Sequence, residues 1–214
     1  MKVLRVSLLL ILIDQATKLA IKGFAVSWLG IHVPGLMMLG ESHDIIGSFL
    51  RITYIENPGM AFGVTFGDET KLFFSLFSLL AGGAVLWYLY TLRNGPLLPR
   101  LALALILAGA FGNFIDRTFY GVMYGTAPLF HGSVVDFVDV DFFTMTIGRF
   151  HLDRWPVFNI ADACVSVGVV IFILTGHKPH TPDTAPLPST STSEVSMEEP
   201  TTETTHPDHA ADAH

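Results

Sequence analysis

The sequence predicts an all-α membrane protein: four transmembrane helices, a small extracytoplasmic β element and an interfacial segment. Three observations lead there. Half of the residues are hydrophobic and only 14% are charged, whereas a soluble domain carries about 25% charged residues. The apolar residues are gathered into four long runs near 3–24, 72–92, 98–119 and 157–175, each close to the roughly 20 residues a helix needs to cross a bilayer. The stretches between them are rich in the Gly, Pro and Asn that punctuate turns.

The first run opens with Lys2 and Arg5 and is unbroken from Leu8 to Ile13. Its start is built like a signal peptide, but Asp14, Lys18 and Lys22 follow without a small-residue cleavage site, so an uncleaved span is expected. Asp14 and Lys18 are four residues apart, acid first, the spacing and order that favour an ion pair on one helical face. Residues 25–71 are too mixed to span and are expected to form an extracytoplasmic β-rich loop. Phe49–Ile55 is β-branched and aromatic and predicts a strand. Asn57-Pro58-Gly59 signals a turn, and Ala61–Val64 suggests a return strand. His32 and His43 stand apart from other polar groups and are expected on the surface without partners.

The second run, Leu72–Leu92, ends in Trp87, Tyr88 and Tyr90, as interfacial aromatic belts do. Arg93-Asn94-Gly95-Pro96 breaks it. The third begins as Leu and Ala, then carries Gly109 and Gly112, small enough for close helix packing, and Asn113, Asp116 and Arg117 on one face near its far end. Residues 120–156 form a second extracytoplasmic loop holding Asp136, Asp139 and Asp141; Phe142–Phe150 could lie in the interface. The fourth run contains Asn159 and Asp162, three apart and therefore on one helical face. Residues 177–214 are rich in Thr, Pro, Ser, Glu and His, cannot bury a core, and predict a disordered acidic tail. A four-helix membrane unit would thus occupy 1–176.

Charge sets further bounds. The net charge of −7 arises mainly in the tail, where Lys178 faces seven acidic residues, so the nearly neutral body offers no footprint for nucleic acid. Cys164 is the single cysteine; it can form no internal disulfide and belongs to no metal-ligating cluster. Lys2, Arg5, Arg93, Arg100 and Lys178 all fall on the side of the termini, which the positive-inside rule makes cytoplasmic. The polar residues of the separate runs then converge on one level, just beneath the outer surface. A carboxylate within a span costs about 2.5–3.5 kcal/mol on insertion scales and signals function by default. Two carboxylates in reach of each other can share a proton and hydrolyse a peptide without a metal. Rival readings are a small proton-coupled transporter subunit, for which Asp14, Lys18 and Asp116 would form a relay, and a non-catalytic membrane scaffold. The sequence has no Gly-x-Gly-Asp, Gly-x-Ser-x-Gly or His-Glu-x-x-His motif.

Five segments, in order, carry a resemblance: Asp14-Gln15-Ala16-Thr17-Lys18, Asn57-Pro58-Gly59-Met60-Ala61-Phe62-Gly63, Gly112-Asn113-Phe114-Ile115-Asp116-Arg117, Val134-Val135-Asp136-Phe137 and Phe158-Asn159-Ile160-Ala161-Asp162. Together they resemble lipoprotein signal peptidase, the type II signal peptidase of bacteria. The resemblance implies an aspartyl endopeptidase of the inner membrane, sensitive to globomycin, that cuts diacylglyceryl-modified prolipoproteins on the N-terminal side of the lipidated cysteine. It implies Asp136 and Asp162 as the catalytic pair. Asn57, Asn113, Arg117 and Asn159 would line or brace the site, and Asp14, Lys18 and Asp116 would form a supporting polar network. No cofactor or metal is implied, and the expected partners are the prolipoprotein and membrane lipid, with the enzyme a monomer. Residues 30–48 and 121–133 look longer than the family's usual loops, and Asp139-Val140-Asp141 matches no hallmark.

Overall fold

A computed structural model describes residues 1–59, 68–141, 145–147, 150–152 and 154–175, all within one unit spanning Met1–Lys178. The suggested return strand at Ala61–Val64 and the tail at 177–214 lie outside the described residues.

Helix α1 (Leu4–Lys22) stops at Gly23, whose φ of 89° is open to glycine and whose N–H returns to the Leu19 carbonyl. The next two terminal carbonyls, Ala20 and Ile21, accept from Leu36 and Met37 N–H at 2.9 and 3.2 Å. A helix end would otherwise leave such groups orphaned. The donors come from just beyond a hairpin of β1 (Gly23–Val26) and β2 (Ile31–Pro34), joined by a 3-10 turn at Ser27–Leu29. Gly35 makes the close approach possible: a Cβ there would sit 2.2 Å from the Ile21 carbonyl oxygen.

Strands β3 (Ser42–Ile46), β4 (Leu50–Asn57) and β5 (Val134–Val140) form an antiparallel sheet in that order. The predicted strand at 49–55 is present, extended to Asn57. Val138 pairs with Phe158 beyond the sheet's β5 edge, with N···O distances of 2.7 and 3.0 Å. Asp136 therefore lies on a strand flanked on both sides. The Val134–Val140 segment, read from sequence as loop, is a strand because four valines and a phenylalanine in seven residues suit a buried pleat. Within the segment expected at the interface, Phe142–Phe150, the described residues form a short hairpin: β6 (Met145–Ile147) pairs with β7 (Phe150–Leu152). His43 is corrected too. It has a partner, Glu41 Oε1 at 2.8 Å, because residues two apart in extended backbone point the same way.

Helices α2 (Asp68–Thr91) and α3 (Leu97–Ile115) are joined by a short link. Among the described residues, two helical stretches, Thr70–Thr91 and Leu97–Tyr124, are long and apolar enough to cross a membrane, and α5 (Ile160–Thr175) is a shorter apolar helix. The α3–α5 contact is close because of glycines. A Cβ on Gly109 would lie 2.2 Å from the Ala161 carbonyl oxygen, and one on Gly168 would lie 2.8 Å from that of Ala102. Buried Cys164 sits on α5. Val3, Leu89, Leu103, Ala104 and Leu107 pack at one end of the helices; Tyr54, Tyr120, Val135 and Phe137 form a second cluster under the sheet.

Beyond Ile115 the third helix does not simply end. A π-helical turn at Asp116–Tyr120 leads into a further α-turn, α4 (Gly121–Tyr124). Such turns place one extra residue in the winding and recur at functional sites. The following loop covers it: Gly132 and Phe130 donate N–H to the Arg117 and Thr118 carbonyls at 2.8 and 3.2 Å. A Cβ on Gly132 would come within 2.3 Å of the Asp116 oxygen, so this crossing needs glycine.

Candidate active site

The site is assembled at the start of α5. Asn159 is the residue before the helix, and its Oδ1 accepts the Asp162 N–H at 3.0 Å while Asp162 Oδ2 accepts the Asn159 N–H at 3.2 Å. This is a reciprocal capping box. It satisfies two terminal donors and fixes the Asp162 rotamer. The intervening Ala161 N–H is taken by Asp14 Oδ1 of α1 at 2.9 Å. Negative groups gather here because a helix N-terminus carries partial positive charge.

Asn159 also reaches the second carboxylate. Its Nδ2 donates to Asp136 Oδ1 at 2.7 Å and to Asn113 Oδ1 at 3.1 Å. Asn113 Nδ2 in turn donates to Asp162 Oδ1 at 2.7 Å. Two asparagines therefore hold the two acids. The Asn57 side chain hydrogen-bonds Asp136 and its Oδ1 also accepts the Gly59 N–H at 2.9 Å, forming the turn expected at Asn57-Pro58-Gly59. Asp136 is buried. Burial, reinforced by the charge of Asp162, pushes its carboxyl up to about 7, against hydrogen bonds from Asn159 and Asn57 that favour the ionised form.

Below the acids is a buried ionic group. Lys18 Nζ lies 2.9 Å from Asp14 Oδ2, 2.8 Å from Asp116 Oδ2 and 2.9 Å from Asn113 Oδ1. All three donors of the ammonium are used, as burial of a charge requires. Asp116 Oδ2 additionally accepts the Val135 N–H at 3.2 Å, which ties this network to the strand carrying Asp136. Gly112 leaves room: a Cβ there would be 2.8 Å from Asp14 Oδ2.

Of the three residues expected on one face, Asn113 and Asp116 meet at Lys18 Nζ, at 2.9 and 2.8 Å, and Asn113 also reaches Asp162. The Arg117 guanidinium lies apart from that cation, 5.3 Å from the Phe74 ring centroid. Its charge is nevertheless close enough to interact with Asp136, Asp116 and Asp162, and its buried Nη1 has no hydrogen-bond acceptor among the described residues. Of the nine sequence-derived candidates, eight thus join one connected set and Arg117 stands beside it.

Sequence reasoning passed over Gln15. Its Nε2 donates to Asp116 Oδ1 at 2.8 Å and the Gly112 carbonyl at 3.1 Å, and its Oε1 accepts from Tyr120 at 3.1 Å. A polar residue inside an apolar run, beside Asp14, was the available signal. Asp139, unassigned by motif, accepts from Thr53 Oγ1 at 2.9 Å and from Arg154 Nε at 2.8 Å. It therefore clasps the sheet rather than entering the dyad. Among the described residues no group of three or more His, Cys, Asp or Glu is arranged to hold a metal.

Comparison with known proteins identifies the family. The family model described as signal peptidase (SPase) II matches residues 6–177. The chain is 38% identical over 169 residues to the lipoprotein signal peptidase of Syntrophus aciditrophicus, covering 78% of this chain and 86% of the relative. It is 34% identical over 195 residues to that of Porphyromonas gingivalis, covering 78% of each. Its fold is similar to a bacterial membrane enzyme solved by the in meso method at 1.9 Å, with TM-score 0.58 and 29% identity over 83% of this chain and 93% of the other. The protein is an aspartic peptidase of the membrane. More particularly, the chain belongs to the signal peptidase II family.

Proposed function

We propose that this protein removes the signal peptide from diacylglyceryl-modified prolipoproteins, cutting on the N-terminal side of the lipidated cysteine, with Asp136 and Asp162 as the catalytic pair. The observation that carries the reading is the double bridge of Asn159 and Asn113 across two carboxylates. The pair holds one proton between them. Asp136 is placed as the acid, because burial and its neighbour's charge resist a second negative charge there. Asp162, which closes the start of α5 with Asn159, is placed as the base. Asp162 takes a proton from water as the water attacks the scissile carbonyl; Asp136 protonates the carbonyl oxygen. Collapse of the tetrahedral intermediate delivers a proton to the leaving nitrogen and restores the shared proton. Arg117, with an unspent N–H beside the acids, is placed to hold a substrate carbonyl.

The full topology belongs to the same proposal. Helices α1, α2, α3 and α5 cross the inner membrane, both termini are cytoplasmic, and the site lies near the extracytoplasmic face of a monomer built from residues 1–176. The charges in α1 are compatible with a span because Asp14 and Lys18 are buried and paired. That pairing, extended to Asp116, also favours bracing over a proton relay. Acyl chains that remain in the bilayer would present the scissile bond at the depth of Asp136 and Asp162.

The decisive test is cleavage of a diacylglyceryl-modified prolipoprotein by the purified protein in lipid. One cut before the modified cysteine is expected; failure on a substrate that a related enzyme processes would refute the reading. A second expected result concerns pH. With the Asp136 carboxyl held near 7, kcat falls as pH rises through that region and the pair loses its shared proton. A folded-state value above the ordinary carboxylate range also means that Asp136 favours folding at low pH, a contribution lost as pH climbs toward about 7. A kcat profile flat between pH 6 and 9, measured at saturating substrate, would exclude the shared proton.

A further inference from the structure

We infer that the β1–β2 hairpin and the segment following it form a second membrane contact, an apolar paddle set into the lipid interface at the C-terminal end of α1. Residues 23–40 contain no Asp, Glu, Lys or Arg. The hairpin tip exposes Trp28 and Leu29, 62% and 63% accessible, and the segment after β2 exposes Leu36 and Met38, 78% and 80% accessible. Phe24 and Val33 are directly paired across the hairpin, and Ile31 shares the face of Val33. Side chains of this size, together and uncharged, exceed what a surface facing water ordinarily carries.

The paddle's level is fixed by its attachment. Leu36 and Met37 bond the last carbonyls of α1, and Tyr124 donates its hydroxyl to the Gly23 carbonyl at 2.5 Å. Lys22, the last residue of α1, lies 4.2 Å from the Tyr124 ring centroid and is paired with Glu56. A lysine and a tyrosine at helix ends, with a tryptophan at the tip of the attached hairpin, mark the membrane–water boundary, where such side chains are enriched. The occupant is lipid because the surface is continuous in the chain with α1, whose exposed Leu8, Leu9, Leu12 and Ile13 form an apolar flank. Charge begins only at the border of the patch, where Glu41 accepts the Met38 N–H at 2.7 Å and Lys22 pairs with Glu56. The inference needs the membrane class of the protein only, and stands apart from the assignment of the catalytic pair.

The test uses the full chain in vesicles of phosphatidylethanolamine and phosphatidylglycerol. The chain has three tryptophans, so Trp87→Phe with Trp155→Phe leaves Trp28 as the sole emitter. Lipids brominated high on their acyl chains should quench Trp28 about twofold, more than lipids brominated at mid-chain, as fits burial of roughly 5–10 Å. Aqueous acrylamide should quench it little. Strong acrylamide quenching without lipid quenching would overturn the inference. So would lipid quenching that disappears as protein density rises, which would assign the face to a second copy. Leu29→Cys with Cys164→Ser, labelled with an environment-sensitive dye, repeats the measurement without touching a tryptophan. Cleavage is followed in the same vesicles: cleavage with Trp28 in water defeats only the paddle, whereas Trp28 in lipid without cleavage defeats only the peptidase reading.

Discussion

Asp136→Asn and Asp162→Asn each lower kcat on a diacylglyceryl-modified prolipoprotein by about a thousandfold, within the range expected when a positioned acid or base is lost. The asparagine variants are informative because they retain shape. Asn at 162 keeps an oxygen for the Asn159 N–H, so the helix start survives, although one acceptor becomes a donor facing Asn113 Nδ2. That mismatch costs about 1–3 kcal/mol if the group stays buried. Asp162→Ala removes the capping contact as well, and costs a further ~1 kcal/mol. Cleavage assays and thermal unfolding in the same detergent separate the two effects. Either Asn variant retaining a tenth of wild-type kcat would remove that residue from the catalytic pair.

Lys18→Met has the largest expected effect on folding. It leaves Asp14 and Asp116 buried without their shared cation, and breaking a buried ion pair from one side costs about 3–5 kcal/mol. The damage spreads to the acids by two routes, since Asp14 caps α5 at Ala161 and Asp116 holds the Val135 N–H. Adding Asp14→Asn and Asp116→Asn to Lys18→Met should recover part of the loss, because the stranded charges are gone. Midpoints of thermal unfolding for the single and triple variants decide it. A Lys18→Met protein as stable as wild type would mean the carboxylates are protonated or hydrated and need no cation.

Much of this was legible in the sequence because the chemistry is unusual for its setting. Asp14, Lys18, Asp116, Asn159 and Asp162 are conspicuous in apolar runs, and helical spacing alone puts Asp14 with Lys18 and Asn159 with Asp162. The structure adds what spacing cannot supply. Asn113, Asp116 and Arg117 share a helical face by counting, but counting does not show that Lys18 binds the first two while Arg117, within the π turn, lies beside Phe74. The strand at Val134–Val140 was missed because its pairing partners, β4 and Phe158, are distant in the chain or across a loop. Gln15 was passed over because an uncharged amide stands out less than a carboxylate, although it bonds two elements. His43 was misjudged for a local reason, the two-residue spacing to Glu41.

The pairing of Val138 with Phe158 has a consequence for how this enzyme could be diversified. It closes the connection between the two acids at its base, and Arg154 reinforces the closure by bonding Asp139, Asp141 and the Ser48 carbonyl. A change confined to the β6–β7 hairpin is therefore expected to leave the Asn159 bridge between the two acids in place, since the hairpin branches from the chain on the far side of this closure. The chain between Asp141 and Arg154 is in that sense a cassette, open to exchange without rebuilding the pair.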